Sequence, residues 1–486
     1  MKNMPFIDEA QVLQVLRGLN PWWASGAVPD FLALPVRRLA FHEVASWMEN
    51  RDVHRAVIIT GARRVGKTTI LYQAAQELIG QGFPPSRILY ASFDHPILKV
   101  TALQDVIDVF VNNVSATRDD IVLLLDEVHY AGDWSLWLKR LVDERATVRI
   151  IATGSASLDI GAGSVESGVG RWVEVRVPTL SFYEYALLQG LETPVLGGDL
   201  RPTGLSKLSP SERNEIAAKL AHLEPHFHRY LLVGGFPETA RMEDLSLAQR
   251  LLRDDVVDRV LKRDMTALFN VRNVLDLERL FIYLCLNSGG ILVQENLARE
   301  FGVSRPTIAN DLKYLEMAHL VFRLDRIGKG IRPRPKVYLA DSGVRNSVLL
   351  RGQEVLTNPD EMGLIVETAV IKHLSAFYYP QKPEIGYWRG TKDREVDVIV
   401  RRPGSWEILV EVKYRNNPEM DRESGLLQYA KDALAPIGLV ITKSAKDFGP
   451  VAGISEREFR PFMVPAYIFL YLLGHAEQGG HRRKVR

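Results

Sequence analysis

Between residues 55 and 153, short runs of aliphatic and β-branched residues alternate with segments whose apolar positions recur at helical spacing. The apolar runs are nearly uninterrupted, which is typical of parallel strands covered by helices on both faces. This alternation predicts an α/β domain with a parallel sheet. The predicted strands are 56–59, 88–93, 121–125 and 148–153.

The rest of the chain shows two further patterns. Residues 209–268 mix polar and apolar positions at helical spacing with one Gly-Gly-Phe-Pro break at 234–237, which predicts a helical bundle. Residues 293–302 and 304–316 predict two helices joined by a short turn, with Ser304 as N-cap and Pro306 in the first turn. Beyond Gly363 a helix precedes strands around Tyr387, Val396 and Leu409, then a helix at 426–433 and a strand at 438–442, which predicts a second α/β domain.

Composition narrows the class of protein. A length of 486 residues predicts about three domains. With 61 basic and 59 acidic residues the net charge is +2, so any nucleic-acid-binding surface must be local. The one cysteine, Cys285, stands in an apolar stretch and excludes an internal disulfide, which fits a reducing compartment. No secretory signal opens the chain and the apolar run 466–473 is short, so we expect a cytoplasmic protein without membrane contact.

The segment after the first predicted strand has the pattern of a phosphate-binding loop. Residues 61–68 match G-x-x-x-x-G-K-[ST] between an apolar strand and a helical segment. Glycines let backbone N–H groups face phosphates, the lysine reaches the β and γ oxygens, and the hydroxyl of the last residue binds magnesium. We therefore expect ATP and Mg²⁺ as cofactors, the alternative being a chance glycine-rich turn. The expected nucleotide-binding residues are Gly61, Ala62, Arg63, Arg64, Val65, Gly66, Lys67, Thr68 and Thr69, with Lys67 also catalytic and Thr68 also a metal ligand.

Two carboxylates, Asp126 and Glu127, follow the strand 121–125. Such a pair at the carboxyl end of a buried strand is costly unless a cation or water uses it. We expect Asp126 to hold magnesium through water beside the nucleotide and Glu127 to polarise the attacking water; an ordinary helix N-cap pair is the alternative. The strand 148–153 ends in Gly154-Ser155, and we favour Ser155 over Thr153 as a polar sensor of the γ-phosphate, against a plain strand-ending turn.

In this order the motifs resemble the AAA+ ATPases: phosphate loop, second strand followed by Asp94, Asp-Glu strand, sensor strand and a strand at 172–177. Segments 60–67, 153–155, 178–184 and 234–238 resemble a prokaryotic branch whose members end in a nuclease-like domain, and this resemblance covers nearly the whole chain. It implies ATP hydrolysis, often in a ring. It also implies that Arg171 is an arginine finger reaching a neighbouring subunit's γ-phosphate. A surface arginine is the alternative, with Arg149 and Arg176 as competing candidates.

The helix pair and the segment after it predict a winged helix. Polar side chains are available on its outer faces and basic ones on its wing, so we expect contact with DNA phosphates that weakens with salt. A module that binds protein or acts as a lid is the alternative. The helix residues are Arg299, Ser304, Arg305, Asn310 and Lys313, and the wing residues are Lys329, Arg332, Arg334 and Lys336.

The C-terminal segment holds a second set of polar residues. Glu367 lies in an apolar helical stretch, Asp397 precedes a strand, and Glu411 and Lys413 share one face of a later strand. Asp397 and Glu411 would bind a hard cation, and Lys413 would orient a metal-bound water for attack on phosphorus.

This order resembles the PD-(D/E)XK nucleases, in which a helix glutamate, here Glu367, joins the metal site and a later helix, here with Gln428 and Tyr429, backs it. The resemblance implies a metal-dependent DNA endonuclease with Glu367, Asp397 and Glu411 as metal ligands. A catalytically silent DNA-binding fold and a fold without a nucleic-acid role stay open, and a Glu-x-Lys pair can be an exposed ion-paired edge.

Together the patterns and the two resemblances imply an α/β protein with a P-loop AAA+ parallel-sheet core, a helical lid, a winged-helix module and a C-terminal restriction-endonuclease-like domain. We expect an ATPase that acts on DNA and self-associates; the alternative is a regulatory ATPase switch that binds a protein partner. The predicted division is an N-terminal helical segment 1–45, core 46–200, lid 201–272, winged helix 273–345, nuclease-like domain 346–475 and disordered basic tail 476–486.

Overall fold

The computed structural model describes residues 7–50, 53–132, 134–144, 147–154, 170–198, 200–266, 271, 273–328, 334–421, 423–433, 436–454 and 459–484. The chain divides into two compact units, Met1–Pro178 and Thr179–Lys484. The division falls inside the predicted core 46–200, and the three segments predicted as lid, winged helix and nuclease-like domain belong to one unit.

The first unit is built on a five-stranded parallel sheet with the order β2-β3-β4-β1-β5. Four of the strands are almost wholly buried, because helices cover both faces, and this accounts for their uninterrupted apolar sequences. The predicted strands are confirmed to within one residue at each end. They are β1 (Ala56–Thr60), β2 (Ile88–Ser92), β3 (Val122–Asp126), β4 (Arg149–Gly154) and β5 (Trp172–Arg176).

The helices of the first unit include the predicted N-terminal helical segment. Asn20, just after the first helix, donates to the Tyr90 carbonyl at 2.8 Å and accepts the Tyr90 N–H, so the segment is attached to the backbone of β2. The described helices are α1 (Glu9–Leu19), α2 (Trp22–Ser25), α3 (Leu39–Glu49), α4 (Lys67–Gly80), α5 (Pro96–Lys99), α6 (Leu103–Phe110) and α7 (Trp134–Glu144).

The second unit holds an eight-stranded sheet with the order β12-β13-β11-β10-β9-β8-β6-β7. The hairpin β6–β7 joins this sheet through a short parallel pairing of β6 with β8, so the predicted winged-helix segment and the predicted nuclease-like segment share one sheet. The strands are β6 (Val321–Arg326), β7 (Lys336–Leu339), β8 (Glu384–Arg389), β9 (Glu395–Arg402), β10 (Trp406–Lys413), β11 (Pro436–Thr442), β12 (Gly449–Pro450) and β13 (Phe462–Pro465).

Helices of the second unit pack with this sheet around one large apolar core that extends in sequence from Leu180 to Leu473. A π-helical stretch at Arg253–Asp258 and Val260–Asp264 continues the helix Leu245–Leu252. The described α-helices are α8 (Phe182–Leu188), α9 (Pro210–Leu220), α10 (Glu224–Val233), α11 (Pro237–Ala240), α12 (Leu245–Leu252), α13 (Val274–Leu286), α14 (Gln294–Phe301), α15 (Arg305–Met317), α16 (Ser342–Leu349), α17 (Pro359–Tyr378), α18 (Gly425–Ala430) and α19 (Ala466–Lys484).

The predicted helix pair is confirmed as α14 and α15. Gly302 ends α14 with a left-handed φ of 69°, and Ser304 caps α15 by accepting the Thr307 N–H. The hairpin β6–β7 follows, as a wing would. Of the predicted wing residues, Lys329 and Arg332 lie outside the described residues.

The C-terminal helix corrects one prediction. Residues 476–484, predicted as part of a disordered tail, continue α19 as far as Lys484. The first eight residues of this helix are the apolar run 466–473, which is buried in the core and provides a packed base from which the helix extends. In the part of the chain that the structure describes, no helix is both long and apolar enough to span a bilayer.

Candidate functional site

The loop between β1 and α4 has the geometry that phosphate binding requires. Gly66 precedes the first turn of α4 with a φ of +98°, and Gly61 has a φ of +148°. A Cβ atom on Gly61 would lie 2.3 Å from the Val177 carbonyl oxygen, so only glycine fits there. The Lys67 ammonium is buried and donates to the Gly61 and Ala62 carbonyls, both at 2.9 Å. The lysine side chain therefore folds back across a loop that is already formed.

The loop is held by side-chain contacts with residues that are distant in the sequence. Arg38 donates to the Val65 carbonyl at 2.7 Å and to the Pro178 carbonyl at 2.9 Å. Arg63 donates to the Tyr130 hydroxyl at 3.1 Å. Sequence reasoning missed Arg38, since a residue 27 positions before its partner gives no local signal.

Asp126 lies at the end of β3, where three hydroxyl groups converge on its carboxylate. Thr68 donates to Oδ2 at 2.8 Å, Tyr90 donates to Oδ2 at 2.9 Å, and Thr153 donates to Oδ1. Burial raises the pKa of Asp126 and the adjacent Glu127 raises it further, whereas the three hydroxyl donors lower it. The predicted pair Thr68 and Asp126 is thus brought together on the phosphate-loop side of the sheet.

Thr153 also binds Glu127, because β4 lies between β1 and β3 in the sheet. Its hydroxyl oxygen accepts the Glu127 N–H at 3.0 Å. Ser155, which the sequence favoured as the sensor, lies outside the described residues, so its role stays a prediction. Thr153, the alternative, is the residue whose contacts the structure describes.

Glu127 has a left-handed φ of 49° and a side chain that faces His129. Its Oε2 atom is 3.4 Å from His129 Nδ1 and is buried with no hydrogen-bond partner among the described residues. Burial lowers the pKa of His129 to about 3, with Lys67 and Arg63 adding to the effect, so the imidazole is neutral. A buried carboxylate oxygen with spare acceptor capacity suits a group that must hold a water. His129 was not predicted as part of the site, although its place two residues after Glu127 is a signal that could have found it.

Arg171 precedes β5 and forms an ion pair within its own chain. Its Nε lies 2.8 Å from Asp143 Oδ1 and 3.0 Å from Oδ2. A role as an arginine finger would require this exposed pair to open, and that role stays a prediction.

The second predicted site lies in the other unit, where α17, β9 and β10 carry its residues. Tyr338 donates to Glu367 Oε1 at 2.6 Å, and Asp397 Oδ2 accepts the Val412 N–H at 2.8 Å. Burial raises the pKa of Glu367, and burial reinforced by Glu367 raises the pKa of Asp397 well above its usual range.

The two side chains of the Glu-x-Lys pair form an ion pair with each other. Lys413 Nζ lies 2.8 Å from Glu411 Oε1, and both side chains are mostly buried. Glu411 Oε2 and Gln428 Oε1 are buried without hydrogen-bond partners among the described residues. The ring of Tyr429 packs edge-on against Trp388, and burial raises its pKa to about 12.

Lys336, predicted as a wing residue that contacts DNA, is instead buried beside these carboxylates. Its side chain is 7% exposed, forms an ion pair with Glu395 and lies 3.9 Å from Glu367 Oε1. The prediction is wrong because β7 enters the eight-stranded sheet, which turns this lysine inward. Arg334, two residues earlier, is exposed.

The predicted metal site does not have the arrangement of a ready metal centre. Among the described residues, no three His, Cys, Asp or Glu side chains are grouped so as to hold a metal ion. Metal binding by Glu367, Asp397 and Glu411 stays a prediction. The Thr68–Asp126 pair is a different case, because Mg²⁺ at a nucleotide is usually held by one or two protein oxygens together with phosphates and water.

Comparison with known families agrees with the geometry of the first unit. Residues 53–186 match a family described as an AAA domain. The match supports a P-loop AAA+ ATPase core in this part of the chain. Residues 224–354 and 362–454 match two further families, each described as a domain of unknown function.

Three proteins similar to this chain are each described as an uncharacterised protein. A protein of Methanocaldococcus jannaschii is 25% identical over 395 residues, covering 79% of this chain and 81% of that protein. A protein of Mycobacterium tuberculosis is 27% identical over 449 residues, covering 86% and 88%. A protein of Haemophilus influenzae is 24% identical over 393 residues, covering 79% and 88%.

Solved structures similar to this chain are distant in sequence and in structure. Aeropyrum pernix Orc1 in complex with DNA has a TM-score of 0.31 at 15% identity, covering 67% of this chain and 95% of that one. AMPPCP-bound DnaA of Aquifex aeolicus has a TM-score of 0.25 at 18% identity, covering 61% and 92%. Cdc6p of Pyrobaculum aerophilum has a TM-score of 0.26 at 12% identity, covering 73% and 98%. At these scores the likenesses carry no argument about function.

Proposed function

We propose that this chain binds ATP with Mg²⁺, hydrolyses it, and uses the energy to act on DNA. The observation that supports hydrolysis is the pair of carboxylates at the end of β3. Three hydroxyl groups donate hydrogen bonds to the Asp126 carboxylate and fix its orientation. The neighbouring Glu127 has a buried carboxylate oxygen with no hydrogen-bond partner among the described residues.

The phosphates would be held by the loop 61–66 and the first turn of α4. Backbone N–H groups at a helix N-terminus and in a glycine-rich loop favour negative charge. The Lys67 ammonium, now bonded to two loop carbonyls, would exchange these for the β and γ oxygens.

Thr68 and Asp126 are the residues that would hold Mg²⁺, which neutralises charge on the phosphates when bound. Glu127 would accept a hydrogen bond from the attacking water and orient it towards phosphorus. His129 lies 3.4 Å from Glu127, and because its imidazole is neutral it does not neutralise the negative charge of the Glu127 carboxylate. The Thr153 hydroxyl holds the Asp126 carboxylate and the backbone N–H of Glu127.

The experiment is ATP turnover by the full chain, with three variants. We expect Lys67→Ala to lose nucleotide binding, and Glu127→Gln to bind nucleotide with parental affinity while turnover falls at least 100-fold. Glu49→Gln, at an exposed glutamate at the end of α3, is the matched control and should leave turnover unchanged. Parental turnover in Glu127→Gln would remove Glu127 from the mechanism.

DNA contact is proposed through the exposed side of α15 and the hairpin after it. Arg305 is largely exposed near the start of α15 and forms an exposed ion pair with Glu295 at 3.2 Å, and Arg334 is exposed beside β7. Duplex DNA should stimulate turnover, and the stimulation should fall as salt rises because each phosphate contact displaces counterions. Replacing Arg305 and Arg334 with glutamine should reduce the stimulation without changing turnover in the absence of DNA.

Self-association belongs to the same proposal. Arg171 would leave Asp143 and reach the nucleotide of a neighbouring copy. Arg171→Ala should then keep nucleotide affinity and lose turnover. An equal loss of both would assign Arg171 a structural role.

If turnover is indifferent to DNA and responds only to a protein, the alternative of a regulatory ATPase switch is favoured. The absence of a three-ligand group around Asp397, among the described residues, supports that alternative for the C-terminal part of the chain.

A further inference from the structure

The acidic cluster of the second unit contains its own cation. Lys336 on β7 forms an ion pair with Glu395 and lies 3.9 Å from Glu367 Oε1. The rings of Tyr387 and Tyr338 lie 5.4 and 6.0 Å from its Nζ, a distance at which aromatic faces attract a cation. The ammonium is therefore surrounded by carboxylates and rings.

The carboxylates around it need a positive charge. Glu367 is mostly buried on α17, and Asp397 is half-buried on β9 with one oxygen bonded to the Val412 N–H. Removing a buried carboxylate from water is costly unless a counter-charge accompanies it. A divalent ion would supply that charge in a nuclease, and here an ammonium supplies it.

The position of β7 in the sheet places the Lys336 ammonium beside these carboxylates. Lys336 pairs with Leu324 on β6 and forms a bridge with Ile291, while β6 in turn pairs with β8. The lysine thus comes from the hairpin that precedes the nuclease-like segment and reaches the cluster through the shared sheet. The second ammonium nearby, Lys413, is engaged by Glu411 at 2.8 Å.

We propose that Lys336 is a built-in counter-ion which stands where a divalent metal would have to bind, so that the acidic cluster of Glu367, Glu395 and Asp397 takes no Mg²⁺ or Mn²⁺. The C-terminal part of the chain then retains the residue order of a nuclease without its metal. This inference is independent of ATP hydrolysis in the first unit, and its test does not require turnover.

The experiment measures Mn²⁺ binding to the nucleotide-free full chain by electron paramagnetic resonance and calorimetry. In the parent chain, Asp397→Asn should leave Mn²⁺ binding unchanged, because the cluster holds no metal. Lys336→Met keeps an unbranched side chain that is one atom shorter and removes the charge, and should gain one Mn²⁺ site at least tenfold tighter than any parental binding at this cluster. Adding Asp397→Asn to Lys336→Met should abolish the new site.

Two controls make the result specific. Lys336→Arg retains the positive charge and should gain no site, and Lys446→Met removes an exposed lysine and should also gain none. If Lys336→Met is unstable in the absence of metal, Mn²⁺ should raise its unfolding temperature and leave that of Lys446→Met unchanged.

Two outcomes would overturn the proposal. One is parental Mn²⁺ binding that disappears with Asp397→Asn, which can be measured whatever the behaviour of the Lys336 variants. The other is a folded Lys336→Met chain that gains neither Mn²⁺ binding nor stabilisation by Mn²⁺.

Discussion

Replacing Thr153 with valine tests whether its hydroxyl holds the Asp126 carboxylate and the Glu127 backbone in the nucleotide site. Its side chain is fully buried, and its hydroxyl donates to Asp126 and accepts the Glu127 N–H at 3.0 Å. Valine has nearly the same shape but can neither donate nor accept a hydrogen bond. The substitution therefore removes both contacts and keeps the packing.

The size of the effect follows from the two contacts. A hydrogen bond to a charged group contributes about 1.5–3 kcal/mol, and a buried N–H left without a partner costs about 1–3 kcal/mol. Because the contacts share one hydroxyl, they are not additive, and we expect the free energy of unfolding of the first unit to fall by about 2–4 kcal/mol. If 1.4–2.7 kcal/mol of this loss is felt in the transition state, kcat falls by about 10–100-fold.

The assay combines turnover at saturating ATP, nucleotide affinity and urea unfolding. Thr153→Ser is the matched control, since it keeps the hydroxyl and loses a methyl group worth about 0.8 kcal/mol. We expect serine to restore kcat to within about threefold of the parent and valine to leave nucleotide affinity nearly unchanged. A folded Thr153→Val chain with parental kcat would refute the reasoning, as would a serine variant that is as slow as the valine variant.

Three further predictions concern buried groups and a glycine. Burial, together with the charge of Lys372, lowers the pKa of His373 from its ordinary value of 6.5 to about 3. Below pH 6.5 the unfolded chain therefore binds a proton that the folded chain does not, which lowers the free energy of unfolding by about 2 kcal/mol at pH 5. In His373→Gln, the urea midpoints measured at pH 7 and pH 5 should converge. Lys372→Met leaves Asp341 buried without the ammonium that now lies 3.0 Å away, and should lower the free energy of unfolding in urea by about 3–5 kcal/mol. Adding Asp341→Asn should recover part of this loss, and strict additivity of the two substitutions would contradict the pairing. Gly61→Ala should weaken nucleotide binding at least tenfold, as its Cβ would meet a backbone carbonyl at 2.3 Å, whereas Gly80→Ala, with open space around it, should bind as the parent does.

Local patterns were enough to predict most elements of both units. The strands of the parallel sheet were recognisable because strands covered on both faces are apolar throughout. The helix pair 294–301 and 305–317 was recognisable from the Ser304 cap and the glycine before it. The phosphate loop and Asp126 were recognisable because their spacing relative to a strand is itself the requirement of the chemistry.

Features that depend on neighbours in the chain could therefore be predicted from the amino-acid order: strands, helices, caps, the loop around Lys67 and the carboxylates at the end of β3. The tertiary structure decided which distant groups meet. It brought the hydroxyl of Thr153 to Asp126 because β4 lies beside β3, and it turned Lys336 into a carboxylate cluster because β7 joins a sheet with strands from later in the chain. Strand order and register are set by long-range packing, so a basic residue in a predicted wing cannot be distinguished, from the sequence alone, from a buried counter-ion.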